Sequence, residues 1–261
     1  MDGKIARVGA SRSIVLDVIH CARKVPSFPV ERRFSLEGLD ELRRDVDPRI
    51  SWSALFSRAY GLASREHSLL RQMYIAWPWA RIYQSPECVI SIAVNRQMPT
   101  GERLFFGRLR DPDRRSLAEI QGELNRFQTG DPAKIFRSQW RGARMPVWVR
   151  RLAWWWRMDV DYRQRARRVG TASMSVLAGQ GVTNRLHPCM MTSSLSYGPM
   201  EDDGRCLVTL QCDHRVIDGA AAARALNSIG ELLQNQVKDE LVRMRSATAD
   251  DIPVHQSRRI A

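Results

Sequence analysis

The chain has 261 residues, 44% of them apolar, enough to bury one sizeable core, so a single domain is the simplest organisation. Its five cysteines are scattered, with no C-x-x-C pair and no regular spacing to histidine; this argues against a disulfide framework or a zinc site and for a reducing cytoplasm. Lys and Arg outnumber Asp and Glu by 41 to 28, a net charge of +13 that favours polyanionic partners, while the lack of a zinc finger, helix-turn-helix or RNA-binding aromatic motif argues against nucleic acid.

The opening MDGKIARVGASRS has no apolar stretch behind its charges and does not read as a signal peptide, and no run reaches the ~18–20 apolar residues of a membrane span. Residues 11–23 place Ile14, Val15, Val18, Ile19 and Ala22 on one helical face, with Ser11 or Ser13 as a candidate cap. Pro26 and Pro29 then force an extended segment, SFPVERRF. Residues 35–44 predict a short helix capped by Ser35. A second helix over 51–64 turns Trp52, Leu55, Phe56, Ala59 and Leu62 inward. CVISIAVNR (88–96) alternates, with Ile90, Ile92 and Val94 facing one way, and reads as a half-buried strand; RLFFGRLR (103–110) is another. Ser116-x-x-Glu119 is a capping box opening a helix striped by Leu117, Ile120, Leu124 and Phe127.

Residues 170–181 read as a strand breaking into a glycine-rich turn. Residues 189–198 and 206–212 read as two strands joined by the acidic turn PMEDDGR. A long helix runs from Gly219 through Leu226, Ile229, Leu233 and Leu241, and the tail from about Thr248 is polar and expected to be loose. The expected organisation is one α/β domain over 1–247, with an Arg/Trp-rich insert at 136–168, followed by the tail 248–261.

The stretch CDHRVIDGAA (212–221) sits at a strand-to-helix corner. In the plain structural reading, Asp218 caps a helix, Gly219 permits close packing, and His214 is a polar loop residue. A second reading comes from resemblance. DHRVIDG resembles the H-R/A-x-x-D-G motif of the dihydrolipoamide acyltransferases, the core subunits of 2-oxoacid dehydrogenase complexes, whose His…Asp-Gly framework the chloramphenicol acetyltransferases share. GTASMSVLAGQG resembles that family's G-T-F-T-I-S-N-L-G-x-x-G segment. KVPSFPVERRFSLEGLDELRR resembles its early strand-helix passage. ECVISIAVN with LFFGRLRDPDRRSLAEI resembles its paired strands and D-x-D-R-K-S-L helix start. In the same order, these passages span most of residues 10–240.

The resemblance implies a chloramphenicol acetyltransferase-like two-layer α/β fold, a mixed sheet flanked by helices, in a homotrimer with active sites between subunits. It implies direct acyl transfer from a thioester to a thiol, hydroxyl or amine. His214 matches the catalytic base, and Ser175 the serine that donates to the oxyanion. Ser173, two residues away on the same strand face, competes for that role. Asp218 matches the aspartate that fixes the corner, often through an ion pair with an N-terminal arginine; Arg12 lies about where that arginine falls, and Arg215 and Gly219 complete the corner. No permanent cofactor and no metal is expected; coenzyme A or an acyl carrier protein thioester would be the co-substrate.

The chain also departs from the family. Lipoyl and subunit-binding domains are absent from these residues, which favours a stand-alone acyltransferase; the alternatives are a non-catalytic trimeric scaffold and a complex core using lipoyl domains of another chain. The turn YGPMEDDGR is short, which reshapes one wall of the channel. In the insert, Pro146 fits a first helical turn, with Trp148, Leu152, Trp155 and Trp156 on one face and Arg150, Arg151 and Arg157 flanking it. That helix reads as packed with snorkelling arginines, as an interfacial helix on anionic lipid, or as a lid over a long acyl chain. The positive field would draw an acidic acyl carrier protein or an anionic membrane, giving a cytoplasmic protein, peripheral to the inner face of the membrane in the second case.

Overall fold

A computed structural model describes residues 3–5, 8–99 and 101–250. Six strands form one mixed sheet in the order β1-β8-β7-β6-β4-β5. They are β1 (Ser27–Ser35), β4 (Val89–Met98), β5 (Gly101–Arg110), β6 (Ala172–Met174), β7 (Ser193–Met200) and β8 (Arg205–Asp213); β2 (Gln72–Ile75) and β3 (Arg81–Gln84) make a separate hairpin. β6 runs parallel to both β4 and β7, and the other pairings are antiparallel. The helices are α1 (Ala10–Ala22), α2 (Leu39–Asp45), α3 (Trp52–Glu66), α4 (Leu117–Thr129), α5 (Pro132–Ile135), α6 (Arg137–Gly142), α7 (Val147–Trp155), α8 (Arg165–Arg168), α9 (Gly219–Leu232) and α10 (Lys238–Asp250).

The alternation of β4 sorts the two faces of the sheet. Ile90, Ile92 and Val94 join the main core with Leu55, Phe56 and Tyr60 of α3, Ile120 and Leu124 of α4, and Ala222, Leu226 and Ile229 of α9. On the other face Ser91 and Ala93 look toward α1. There Ile14 and Val18 pack with Val169, Cys189, Met190 and Met191 in a smaller core that Trp154 and Phe106 border. The capping box at Ser116 forms with both of its hydrogen bonds. Gly170 needs its glycine: at φ +125° a side chain would be strained, and a Cβ would sit 3.2 Å from the Val89 carbonyl.

Several boundaries differ from the sequence expectation. Ser35 caps no helix; it ends β1, and α2 starts only at Leu39, behind Gly38 in the left-handed region at φ 74°. Ser11 and Ser13 lie inside α1, whose N-cap is Gly9. Residues 189–192 precede β7 rather than belonging to it. The long C-terminal helix is interrupted by a π-helical turn at Leu233–Val237. Its continuation, α10, reaches Asp250, and the rest of the expected tail lies outside the described residues.

The insert is not one helix. α6 and α7 are followed by a π-turn at Trp156–Val160 and the short α8, and Pro146 is the N-cap of α7 rather than part of its first turn. Arg150 does not flank an outer face. It is buried, and its Nε donates to the Asp17 carboxylate at 2.8 Å, clamping α7 onto α1. Arg151 also turns toward Asp17, and Arg157 lies over the Trp154 ring.

Candidate active site

β8 delivers the corner. Its last residue, Asp213, is buried and accepts three side-chain bonds from Arg215, the closest at 2.7 Å, and one from the Arg215 backbone N–H. Arg215 in turn stacks on Tyr74 of the β2–β3 hairpin, 4.3 Å from the ring centroid. The backbone N–H groups of Val216 and Ile217 both donate to the Asp213 carbonyl, which closes the turn, and Ile217 anchors it in the main core. Arg215 is thus fixed at the corner through Asp213, which the sequence reading did not single out.

His214 stands just outside this turn. Its backbone N–H is held by the Pro26 carbonyl at 2.9 Å and its ring tilts against Phe28 at 4.7 Å, yet its side chain is 57% exposed. Asp218 comes up beneath it, four residues on across the turn: Oδ1 lies 3.6 Å from Nδ1. That is ion-pair range rather than a formed hydrogen bond. The carboxylate addresses Nδ1 and leaves Nε2 as the outward nitrogen, the orientation a general base needs.

Asp218 occupies the N-cap of α9, but its side chain makes no capping bond. Arg12 lies on the exposed side of α1 and forms no ion pair with Asp218 among the described residues; the partner Asp218 finds is His214. Nor does Gly219 serve close packing within the chain, since an added Cβ there meets nothing within 4 Å; it is Ala222 and Ala225 that sit fully buried under α9.

Ser173 and Ser175 share one cavity of about 150 Å³, lined also by Val18, Phe106, His187 and Cys189. Their hydrogen bonds tell them apart. The Ser173 hydroxyl already donates to Ser194 Oγ at 2.8 Å. Ser175 Oγ accepts from Asn184 Nδ2 at 3.3 Å, and its own O–H has no acceptor among the described residues. Ser175 is thus the serine with a proton to offer.

His187 was missed in the sequence because it sits in a loop, LHPC, with no periodic or motif context. Its Nε2 is 2.8 Å from Ser194 Oγ, its Nδ1 is buried without a hydrogen-bond partner, and burial pushes its pKa down, in favour of the neutral ring. His214 is not among the residues lining this cavity. Within one chain the two proposed partners thus stand in separate places.

The cysteines offer no competing nucleophile. Burial pushes the thiols of Cys88 and Cys212 up to about 12 and those of Cys21 and Cys206 up to about 11, and Cys189 in the serine cavity is raised as well. A thiol held so far above neutral pH supplies almost no thiolate. Among the described residues no cluster of His, Cys, Asp and Glu is placed to hold a metal ion.

Residues 193–239, which contain the whole corner, match the family model for the 2-oxoacid dehydrogenases acyltransferase (catalytic domain). No curated protein matches the chain by sequence. Among solved structures, the dihydrolipoamide acetyltransferase of Azotobacter vinelandii superposes with a TM-score of 0.66 at 20% identity, covering 92% of this chain and 94% of that one. The roles of a serine, a histidine and an asparagine in its catalytic mechanism have been investigated, the last two lying four positions apart. A truncated catalytic core of the 2-oxoacid dehydrogenase complex of Thermoplasma acidophilum gives 0.65 at 18% identity, covering 89% of this chain and 99% of that one. A probable dihydrolipoamide acetyltransferase of Listeria monocytogenes gives 0.64 at 17%, covering 89% and 94%. The fold is that of an acyltransferase catalytic domain. The segment matched by the family model is the one that carries His214 and Asp218.

Proposed function

We propose that the chain is a stand-alone acyltransferase that moves an acyl group from a coenzyme A or acyl carrier protein thioester to a hydroxyl, amine or thiol. The observation that carries this reading is the corner itself: an exposed imidazole whose Nδ1 faces Asp218 at 3.6 Å, on a strand-turn-helix that matches the acyltransferase model. The four-residue His–Asp spacing parallels the histidine and asparagine of the Azotobacter protein.

In this mechanism Nε2 of His214 takes the proton of the acceptor as it attacks the thioester carbonyl, and Asp218 steadies the imidazolium. The tetrahedral oxyanion accepts a hydrogen bond from Ser175. Collapse breaks the carbon–sulfur bond, and the imidazolium returns the proton to the departing thiolate. No acyl-enzyme forms. Because His214 and Ser175 lie apart within one chain, the site is completed by a second copy, in a homotrimer with three equivalent sites. Analytical ultracentrifugation should give three times the monomer mass.

The direct test is release of free thiol from a panel of acyl-CoA and acyl carrier protein donors. No turnover with any donor points instead to a scaffold of the same fold. Acetyl transfer from acetyl-CoA to free dihydrolipoamide points to a complex core served by lipoyl domains of another chain. Ser175→Ala should lower kcat by roughly 10²–10³, the usual loss for one oxyanion donor. Ser173→Ala should leave kcat within a few-fold, because its hydroxyl is already committed to Ser194.

The surface favours an anionic membrane as a docking partner. Trp148 is 72% exposed and Trp156 52%, Leu152 is exposed beside them, and Trp155 meets Trp77 of the β2–β3 hairpin edge-on at 5.6 Å. Trp79 extends the same surface, with the Arg81 guanidinium 5.5 Å from its ring. Exposed tryptophan with arginine beside it suits a headgroup region. Trp154 turns inward to line the cavity beneath the insert, and Trp155 lines a smaller one with it. In vesicle sedimentation, binding to anionic liposomes should fall with added salt and on Trp155→Ser with Trp156→Ser. Among the described residues no helix is long and apolar enough to cross a membrane.

A further inference from the structure

Beneath the insert lies a cavity of about 590 Å³ that the corner chemistry does not use. Arg108 and Arg110 of β5 form one side, Arg150 of α7 and Arg157 of the π-turn another, and Arg167 and Arg168 of α8 a third. Asp17 is the one carboxylate among the lining residues, and it is already held by Arg150 at 2.8 Å. Arg167 is held by Glu87, and Arg168 by Asp161 at 2.7 Å.

Among the described residues Arg108, Arg110 and Arg157 close no salt bridge with a carboxylate, although the charge of Arg110 is felt by Glu87 and Asp111. Arg108 donates only to the Arg168 carbonyl, at 2.9 Å, and Arg157 lies 5.9 Å from the Trp154 ring centroid. Burial, and then the neighbouring charges of Arg110 and Arg157, hold the Arg108 guanidinium below the ordinary arginine range. Three guanidiniums gathered without a salt-bridged anion repel one another, and a ligand carrying phosphate would remove that repulsion and take up their paired donors.

The rest of the wall mixes apolar and aromatic side chains, Ile14, Phe106, Trp154, Val169 and Met190, with the neutral polar Ser91, Ser138, Gln139 and Gln164. The volume falls in the range of small-molecule sites, about 300–1,000 Å³. The serine cavity is its neighbour. Ser91, Phe106 and Met190 line both. A ligand with its phosphates among the arginines would therefore have an apolar path past Phe106 and Met190 toward Ser175.

We propose that this cavity binds the phosphate end of a phosphopantetheine thioester, with Arg108, Arg110 and Arg157 on the phosphates and the arm directed along Phe106 and Met190 to Ser175. This rests on the acyl-transfer reading and adds the donor's binding site to it. The phosphate is common to coenzyme A and to a carrier protein's prosthetic arm.

The test compares acyl-CoA with acyl-pantetheine, which has the same thioester and no phosphate. The wild-type KM for acyl-CoA should be lower by tenfold or more. Arg108→Gln with Arg157→Gln should raise it by at least about tenfold, as expected for lost charge-assisted bonds, and leave the acyl-pantetheine KM unchanged. Inorganic pyrophosphate should compete with acyl-CoA and not with acyl-pantetheine, an arm that needs no variant to fold. Weaker binding of dephospho-CoA than of coenzyme A identifies coenzyme A as the source, and equal binding of both and of phosphopantetheine identifies the carrier arm. Equal KM values for the two donors in the wild type, with no effect of pyrophosphate, overturn the proposal and leave the acyl-transfer reading standing. If no donor turns over, calorimetric titration of coenzyme A decides separately. Binding by the wild type and by His214→Ala, lost in the arginine variant, upholds the site; no binding of coenzyme A, dephospho-CoA or phosphopantetheine by the wild type removes it.

Discussion

His214→Ala should lower kcat for thiol release by roughly 10²–10⁴ while leaving the KM of the thioester within a few-fold, since a general base contributes to the transition state more than to ground-state binding. The geometry sets the comparison that makes this decisive. His187 lies in the cavity with Ser175, but its Nε2 is engaged by Ser194 and its Nδ1 points into protein. It has no free nitrogen facing an open approach. His214 has one, because Asp218 addresses Nδ1 and leaves Nε2 outward on an exposed side chain. His187→Ala should therefore cost far less than His214→Ala. The reverse order, measured on folded variants with an acyl-CoA donor, would transfer the base role to His187 and the reaction to a single chain. Asp218→Asn should give an intermediate loss: the amide retains the position but not the charge that steadies the imidazolium. The loss should be modest, because Asp218 is 88% exposed and water screens the pair.

What the sequence disclosed and what it concealed divide along the range of the interactions. Local chemistry was legible. The Ser116 capping box, the alternation of β4 and the strand-turn-helix at His214 each depend on residues close together in the chain, and each formed. The hairpin of β2 and β3 was not legible. Its strands are four residues each, too short for alternation to register, and among the contacts that hold it in place are Arg215 on Tyr74 and Arg165 on the Tyr74 carbonyl. Both partners arrive from more than ninety residues away. At the site, spacing named both serines and left the choice open. Asn184 and Ser194 set the two apart, because the Ser173 hydroxyl donates to Ser194 while the Ser175 hydroxyl accepts from Asn184. The early arginine failed for a related reason: helical position can put Arg12 on a surface, but only tertiary packing decides which carboxylate an arginine meets. Asp17 meets Arg150 rather than any residue of its own helix.

Asp17→Ala should destabilise the protein by about 3–5 kcal/mol, the usual cost of stripping one partner from a buried ion pair. For a chain of this size that lowers Tm by roughly 10 °C. The two side chains are 2% and 9% exposed, so neither charge is relieved by water once alone. Arg150→Ala should cost about as much, leaving the Asp17 carboxylate between α1 and α7 with only Arg151 at 3.7 Å. Replacing both, as Asp17→Leu with Arg150→Met, should recover most of the loss, since an apolar pair of similar volume needs no compensating charge. A double variant as unstable as either single one would mean that the contact sustains something besides itself. The nearest candidate is the Met145 carbonyl, which Arg150 also binds, at 2.8 Å, just before α7 begins. The clamp also bears on binding. Asp17 and Arg150 both line the arginine cavity, and the insert that closes it is tied to α1 through them. Thermal unfolding and the acyl-CoA KM of the double variant, read together, separate the two roles. A restored Tm with a raised KM means that the pair positions the wall of the cavity, and restoration of both means that it serves stability alone.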